Sequence, residues 1–120
     1  MIKSVAMVAI ARNETLYINN WIEYHKALGI SRFYIYDNSF GDETRLDSVI
    51  SKNNMECTVI IPYYNKIAAQ KKAYNEAYLT YGDKHDYMLF MDIDEFLTLM
   101  KHDIIQDYLD FIEMKCPNFQ

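Results

Sequence analysis

An α/β fold with a mostly parallel sheet is what these 120 residues predict. Three features carry that prediction. Short apolar runs alternate with segments of helical period. The first run, Val5 to Ile10, is apolar throughout, as in a strand covered on both faces. Polar clusters stand where the runs end, as loops at one edge of a parallel sheet require.

Val5 to Ile10 opens the fold. From Glu14 to Leu28, the residues Ile18, Trp21, Ile22, His25 and Leu28 share one helical face. Asn13 or Thr15 is placed to cap that helix, and Gly29 followed by Ile30 to close it as a Schellman stop. "RFYIYD" is the second strand, ending in Asp37, and Leu46, Val49 and Ile50 mark a short helix from near Asp42. "CTVIIP" is the third strand, closed by Pro62. Residues 65–81 read as a longer helix that buries Ile67, Tyr74, Ala77, Tyr78 and Tyr81 and stops at Gly82. "DYMLFMD" is the fourth strand. Asp103 and Gln106 have capping-box spacing for a last helix burying Ile104, Ile105, Tyr108, Leu109 and Ile112. Without repeats, low-complexity tracts or a linker, residues 1–120 read as a single domain.

Composition narrows the function classes. Hydrophobic residues make up 51% and charged residues 24%, a globular balance. The formal charge of -5, with no Lys/Arg cluster, excludes a surface that tracks nucleic acid phosphates. An acidic protein that handles phosphates needs a metal ion between the two. Cys57 and Cys116 form no Cys-x-x-Cys pair, and a reduced intracellular protein explains them, with Cys57 a small core residue on a strand. The N-terminal apolar run is too short to span a bilayer and leads into Arg12-Asn13-Glu14, not a cleavage site. The expected location is the cytoplasm, at most peripheral to the inner face of the membrane.

Ligands on such sheets bind beyond the carboxyl ends of the strands. That selects Arg12, Asn13 and Glu14, then Asp37, Asn38 and Ser39, then Asp92, Asp94 and Glu95 as groups expected to meet on one edge. Two carboxylates as close as Asp92 and Asp94 repel unless a proton or cation lies between them. Hard oxygen ligands suit Mg²⁺ or Mn²⁺, which take few protein carboxylates plus substrate phosphates. A strand-end turn is the plain alternative. An EF-hand is ruled out by the absence of its Gly and later ligands.

Spacing leaves Asp37 open as a nucleotide contact or a turn residue, and Arg12 as a diphosphate contact or the partner of Glu14 or Asp37. Lys71 and Asn75, at i and i+4, with Gln70 beside them, fit a solvated helix face on spacing alone. His25, His85 and His102 have no metal-ligand spacing: His25 belongs on its helix, the other two in surface loops. There is no Gly-rich phosphate loop and no Ser or Cys nucleophile motif.

In order and separation, "AIARNE", "YIYDNSFGD", "QKKAYNEAY" and "YMLFMDIDEFL" resemble the glycosyltransferase family 2-like and family 92-like proteins. The resemblance covers nearly the whole chain. It implies a Rossmann-like GT-A fold and metal-dependent transfer of a sugar from a nucleotide-diphosphate sugar, a UDP-sugar above all. The acceptor it implies is a saccharide or lipid-linked one, in cell-surface polysaccharide or lipopolysaccharide synthesis. By the same resemblance Asp92 and Asp94 match the Asp-x-Asp that holds Mn²⁺ or Mg²⁺ on the donor diphosphate. Asp37 matches the acid that contacts the nucleotide, and Ala11, Arg12 and Glu14 match the motif lining its pocket. Gln70, Lys71 and Asn75 match the helix motif near the donor sugar and phosphates. Glu95 matches a following acid without an assigned role.

The sequence stops at "CPNFQ", where a fifth strand is expected. The resemblance therefore implies a truncated GT-A domain: the nucleotide-sugar-binding half, with the base that deprotonates the acceptor beyond Gln120. A non-catalytic nucleotide-sugar-binding fragment is one alternative. Another is a haloacid-dehalogenase-like phosphotransferase with Asp92 as nucleophile, although Glu95 stands where that family carries Thr or Val. An outer strand left bare after the fourth run would favour a homodimer.

Overall fold

The structure, a computed structural model, describes residues 2–99 and 101–115. Strands β1 (Val5–Ala11), β2 (Arg32–Asp37), β3 (Thr58–Pro62) and β4 (Tyr87–Phe90) form one parallel sheet in the order β3-β2-β1-β4. Helices α1 (Ile18–Leu28) and α4 (Ile105–Lys115) cover one face, and α3 (Gln70–Tyr81) covers the other. The uninterrupted apolar run of β1 follows from this. Val5, Met7, Ala9 and Ala11 enter the core under α1 and α4, while Ala6 and Val8 enter the core under α3. β2 divides in the same way, Phe33 and Ile35 to one side and Tyr34 and Tyr36 to the other.

The end of α1 obeys its sequence. Gly29 has φ 111°, its N–H donates to Lys26 O at 3.0 Å, and the Ile30 N–H donates to His25 O at 3.0 Å. This is a Schellman closure. A Cβ at Gly29 would also stand 2.8 Å from Ile105 Cγ2 of α4. Gly29→Ala combines left-handed strain with overpacking, so it should cost about 2 kcal/mol or more in urea denaturation. The start of α1 differs from expectation. Tyr17 and Ile18 N–H both donate to Glu14 O, so Glu14–Tyr17 form a turn and the helix begins four residues later than Glu14, with no side-chain cap from Asn13 or Thr15.

Later elements depart from the sequence reading as well. A 3₁₀ turn, Leu46–Ser48, replaces the helix expected from Asp42, and a short α2 (Lys52–Met55), capped by Ser51, follows it. α3 begins at Gln70, not residue 65, and buries Ala73 and Ala77. Ile67 and Tyr78 are exposed instead. Small residues let α3 approach the sheet closely, and its tyrosines flank that contact: Tyr81 stacks on Tyr34 at 4.1 Å and Tyr74 meets Phe90 at 4.9 Å. Gly82 does follow α3, but with φ -60° as a right-handed residue leading into a 3₁₀ turn.

In α4, Ile105 and Leu109 are buried as expected, whereas Ile104 is exposed. Gln106 makes no capping box: its Oε1 accepts from Lys3 N–H at 2.9 Å and its Nε2 donates to Lys3 O at 2.7 Å. β4 ends at Phe90, so Met91 and Asp92 lie beyond the strand. Cys57 precedes β3 and packs on the core; Cys116 and "CPNFQ" lie outside the described residues. His85 is not a free surface residue, because Ser4 Oγ and Tyr34 OH each lie 2.7 Å from its ring nitrogens. No described helix is long and apolar enough to cross a membrane.

Candidate functional site

From β1 the chain steps outward through β2 to β3, then returns to place β4 on the other side of β1. The direction of winding therefore reverses between β1 and β4, and a parallel sheet opens a crevice at such a point, beyond its carboxyl ends. The loops after β1, β2 and β4 meet there. Asn38 N–H donates to Ala11 O at 2.8 Å, and Met91 N–H to Val8 O at 3.1 Å.

One side of this edge is a cleft of about 640 Å³, bounded by Ala11, Arg12, Asn38, Phe40, Lys66 and the start of α3. Of the residues singled out in the sequence, Ala11, Arg12, Asn38, Gln70 and Lys71 all line it. Asn75 lies one turn further along α3, in an adjoining depression with Lys66, Lys71 and Lys72. Phe40 and Lys66 were not singled out; they sit in loops whose path no periodicity reports. Arg12 pairs with neither Glu14 nor Asp37. Its guanidinium lies 3.3 Å from the Glu43 carboxylate and 3.8 Å from the Phe40 ring centre. The Phe40 N–H first, then Arg12, hold the Glu43 carboxyl below its ordinary range.

The approach to α3 is shaped by local strain. Asn65 and Ala68 adopt φ of 59° and 50°, and the first turn of α3 carries Lys71 and Lys72 with no acid. A helix N-terminus favours negative charge, so lysines there suit an anion drawn from outside. Asn38 adds a second unmet need. Its Nδ2 donates to Lys66 O at 2.8 Å, while its Oδ1 is buried without a protein partner.

Asp37 stands behind the cleft, 1% exposed. Its Oδ1 accepts from Ser39 N–H at 3.1 Å and from Ser39 Oγ, and its Oδ2 accepts from Leu46 N–H at 2.9 Å. Both carboxylate oxygens are thus spent on folding the loop that carries Asn38 and Phe40.

The acids occupy the β4 side. Ile93 is buried in the core between exposed Asp92 and Asp94, so one apolar anchor sets both carboxylates outward. Asp92 titrates above its ordinary range through burial, then through the Glu95 and Asp94 charges. Glu14 is raised by burial, then by Asp94 and Asp92, which places it in the same field. Tyr74 is pushed up to about 12 by burial and then by Asp92 and Glu95. Among the described residues, no Lys or Arg pairs with Asp92, Asp94 or Glu14. Glu95 gains a role: its Oε1 accepts from Asp92 N–H at 3.0 Å, while its own N–H donates to Asp92 O at 3.1 Å. It closes the turn on which both aspartates stand.

Uncompensated hard oxygens of this kind fit Mg²⁺ or Mn²⁺. Among the described residues, no three His, Cys, Asp or Glu side chains gather closely enough to cage an ion by themselves.

Next to this turn, His25 is fully buried on α1 with Nδ1 2.8 Å from Trp21 O and Nε2 3.1 Å from Leu97 N. Nδ1–H donates and Nε2 accepts, so the ring is neutral and burial lowers its pKa. The stability this provides is complete above the ordinary value of 6.5 and is lost as pH falls from there toward the lowered folded value. The melting temperature should therefore drop as pH falls below the ordinary imidazole value of 6.5, and less so in His25→Gln.

The sequence model of glycosyltransferase family 92 matches residues 4–115. A family 92 protein of Oryza sativa subsp. japonica is 28% identical over 108 residues, covering 88% of this chain and 18% of its own. One from Ricinus communis is 29% identical over 91 residues, or 75% of this chain and 15% of its own. A third, from Arabidopsis thaliana, is 26% identical over 92 residues, or 75% and 16%. The chain thus spans less than a fifth of these relatives. No solved structure matches it. A parallel sheet flanked by helices, with the quoted motifs gathered at its carboxyl edge, is consistent with a GT-A-like fold. With the match running from Ser4 to Lys115, the chain belongs to glycosyltransferase family 92.

Proposed function

We propose that this chain binds the donor in metal-dependent transfer of a sugar from a nucleotide-diphosphate sugar, a UDP-sugar foremost, to a saccharide or lipid-linked acceptor. The observation that carries the proposal is the pairing of opposites at one edge. A cleft with Lys66, Lys71 and the α3 N-terminus stands beside the Glu14, Asp92 and Asp94 carboxylates, which have no cationic partner among the described residues. A nucleoside diphosphate satisfies the first, and a divalent ion satisfies the second while bridging the two.

Asp92 and Asp94 would hold the ion. Bound there, Mn²⁺ or Mg²⁺ supplies Lewis-acid stabilisation of charge on the departing nucleoside diphosphate. Lys71 and the free N–H groups opening α3 orient the phosphates, with Gln70 and Asn75 toward the donor sugar. Ala11, Arg12 and Phe40 wall the nucleotide. Asn38 Oδ1 is an acceptor for a base or ribose donor. Asp37 acts by holding the Asn38–Phe40 loop. In the transfer, the anomeric carbon–diphosphate bond breaks and an acceptor oxygen bonds that carbon, giving its proton to a base; no residue of this chain is assigned that role. Placement in cell-surface polysaccharide or lipopolysaccharide synthesis at the cytoplasmic side belongs to the same proposal.

Calorimetric titration with UDP and UDP-sugars, with and without Mn²⁺, tests the reading. Binding that needs the ion and is weakened by Lys71→Ala supports it; equal binding without the ion contradicts the bridge. Binding without transfer or hydrolysis would favour a donor-binding module. Pairing of two copies along the outer edge of β4, which borders a groove of about 470 Å³, is proposed alongside. A monomer by light scattering at high concentration would contradict it.

A further inference from the structure

The two aspartates proposed to hold the ion stand outside any regular element. β4 ends at Phe90, and among the described residues Met91 N–H to Val8 O is the last backbone hydrogen bond tying this stretch to β1. Without a ladder, the run from Asp92 to Leu97 must take its shape from other contacts: Ile93 buries one point and Glu95 closes the turn with Asp92, which leaves that turn to be seated against the rest of the fold.

The remaining points come from one face of α1. Trp21 Nε1–H donates to Glu95 O at 2.9 Å. Tyr24 OH donates to Leu97 O at 2.8 Å. Leu97 N–H donates to His25 Nε2 at 3.1 Å, so both backbone groups of Leu97 are held. The His25 ring is itself fixed, because Nδ1–H is committed to Trp21 O and Phe96 stacks on it with planes 13° apart. Tyr24 meets Phe96 edge-on at 5.0 Å. Apolar residues of similar size would fill this part of the core equally well. What Trp21, Tyr24 and His25 add is a polar atom apiece, and each meets the backbone of the segment that follows the acids.

We infer that Trp21, Tyr24 and His25 are positioning residues for the ion site: their side chains hold the Glu95–Leu97 backbone and so fix where the Asp92 and Asp94 carboxylates stand. The inference rests on the reading that those carboxylates bind a divalent ion. Ion affinity depends on ligand placement, and groups that orient ligands from behind contribute about 10–100-fold to it.

The test compares Trp21→Phe, Tyr24→Phe, His25→Phe and His25→Gln with the parent chain, well below each melting temperature. Two quantities are read: amide hydrogen exchange at Glu95–Leu97 without metal, and Mn²⁺ affinity from the electron paramagnetic resonance signal of free ion. Tyr24 is 40% exposed, so Tyr24→Phe removes a hydroxyl with little risk to the fold. It should speed exchange at Leu97 and weaken Mn²⁺ binding about tenfold. His25→Phe should do the same, and His25→Gln, which keeps an acceptor near Nε2, should restore affinity toward the parent's. A parent that binds Mn²⁺, with Tyr24→Phe and Trp21→Phe binding equally tightly, overturns this inference alone. A parent that binds no Mn²⁺ overturns the ion reading, and this inference with it.

Discussion

A chain carrying Asp92→Asn and Asp94→Asn should bind Mn²⁺ more than about 100-fold more weakly than the parent, since direct ligands matter more than the groups behind them. The same chain should unfold at a higher temperature in the absence of metal. The second effect separates a ligand site from a structural turn. Burial first, and then the repulsion of neighbouring carboxylates, raises both Asp92 and Glu14, so their ionised forms oppose folding at neutral pH. Their folded pKa values lie above the unfolded ones, so the cluster becomes less unfavourable as pH falls toward the carboxylate range, opposite to the trend for His25. Neutral amides remove that repulsion and keep the shape. If the aspartates merely closed a strand end, the substitutions would destabilise the fold and leave ion binding unaffected. Differential scanning calorimetry with and without Mn²⁺ reads both effects on one sample.

Asp37→Ala should cost the fold about 3–5 kcal/mol, a large part of the stability of a domain this size. The loss follows from what the carboxylate satisfies. Ser39 and Leu46, each 2% exposed, would keep buried N–H groups with no acceptor, and each such group costs about 1–3 kcal/mol. Ser39 Oγ would lose its partner as well, although it has a second contact with Thr44 O at 3.3 Å. Because that loop carries Asn38 and Phe40, nucleotide binding should fall together with stability. Urea denaturation beside a UDP titration of the surviving folded fraction distinguishes the two roles weighed for Asp37. A stable Asp37→Ala chain with lost binding would make it a direct contact; a destabilised chain whose folded fraction binds normally would make it structural alone.

How much of this could be read from the sequence depended on what kind of contact fixed each part. β1 and β2 were legible because both faces are apolar and the alternation into two cores leaves few other readings. The end of α1 was legible because Gly29 followed by Ile30 is a local signal with a local cause. Arg12 and Asn38 could be selected for one edge because parallel strands send their loops there, whereas Ala11, Gln70 and Lys71 were picked out only by the family resemblance, the spacing of Gln70 and Lys71 alone fitting a solvated helix face.

The misreadings share a different cause. On α3, tyrosines look like better core residues than alanines, but a close helix–sheet approach selects Ala73 and Ala77. Nothing along the chain reports that distance. Gln106 looked like half of a capping box until Lys3, more than a hundred residues away, claimed both its polar atoms. Trp21 and His25 were recognisable as a buried face, yet their hydrogen bonds to the segment after β4 span more than seventy residues. Such pairings become visible only once the fold brings the two stretches together.

The proposed divalent ion would sit at the edge defined by Glu14, Asp92 and Asp94. Paramagnetic broadening of backbone amide signals by substoichiometric Mn²⁺, with UDP present, tests it most directly. Broadening should centre on Glu14 and residues 92–95, extend to Arg12 and Tyr74, and spare Ser4 and His85 at the opposite end of the sheet. Broadening that centres elsewhere, or that persists unchanged in the Asp92→Asn, Asp94→Asn chain, would contradict it.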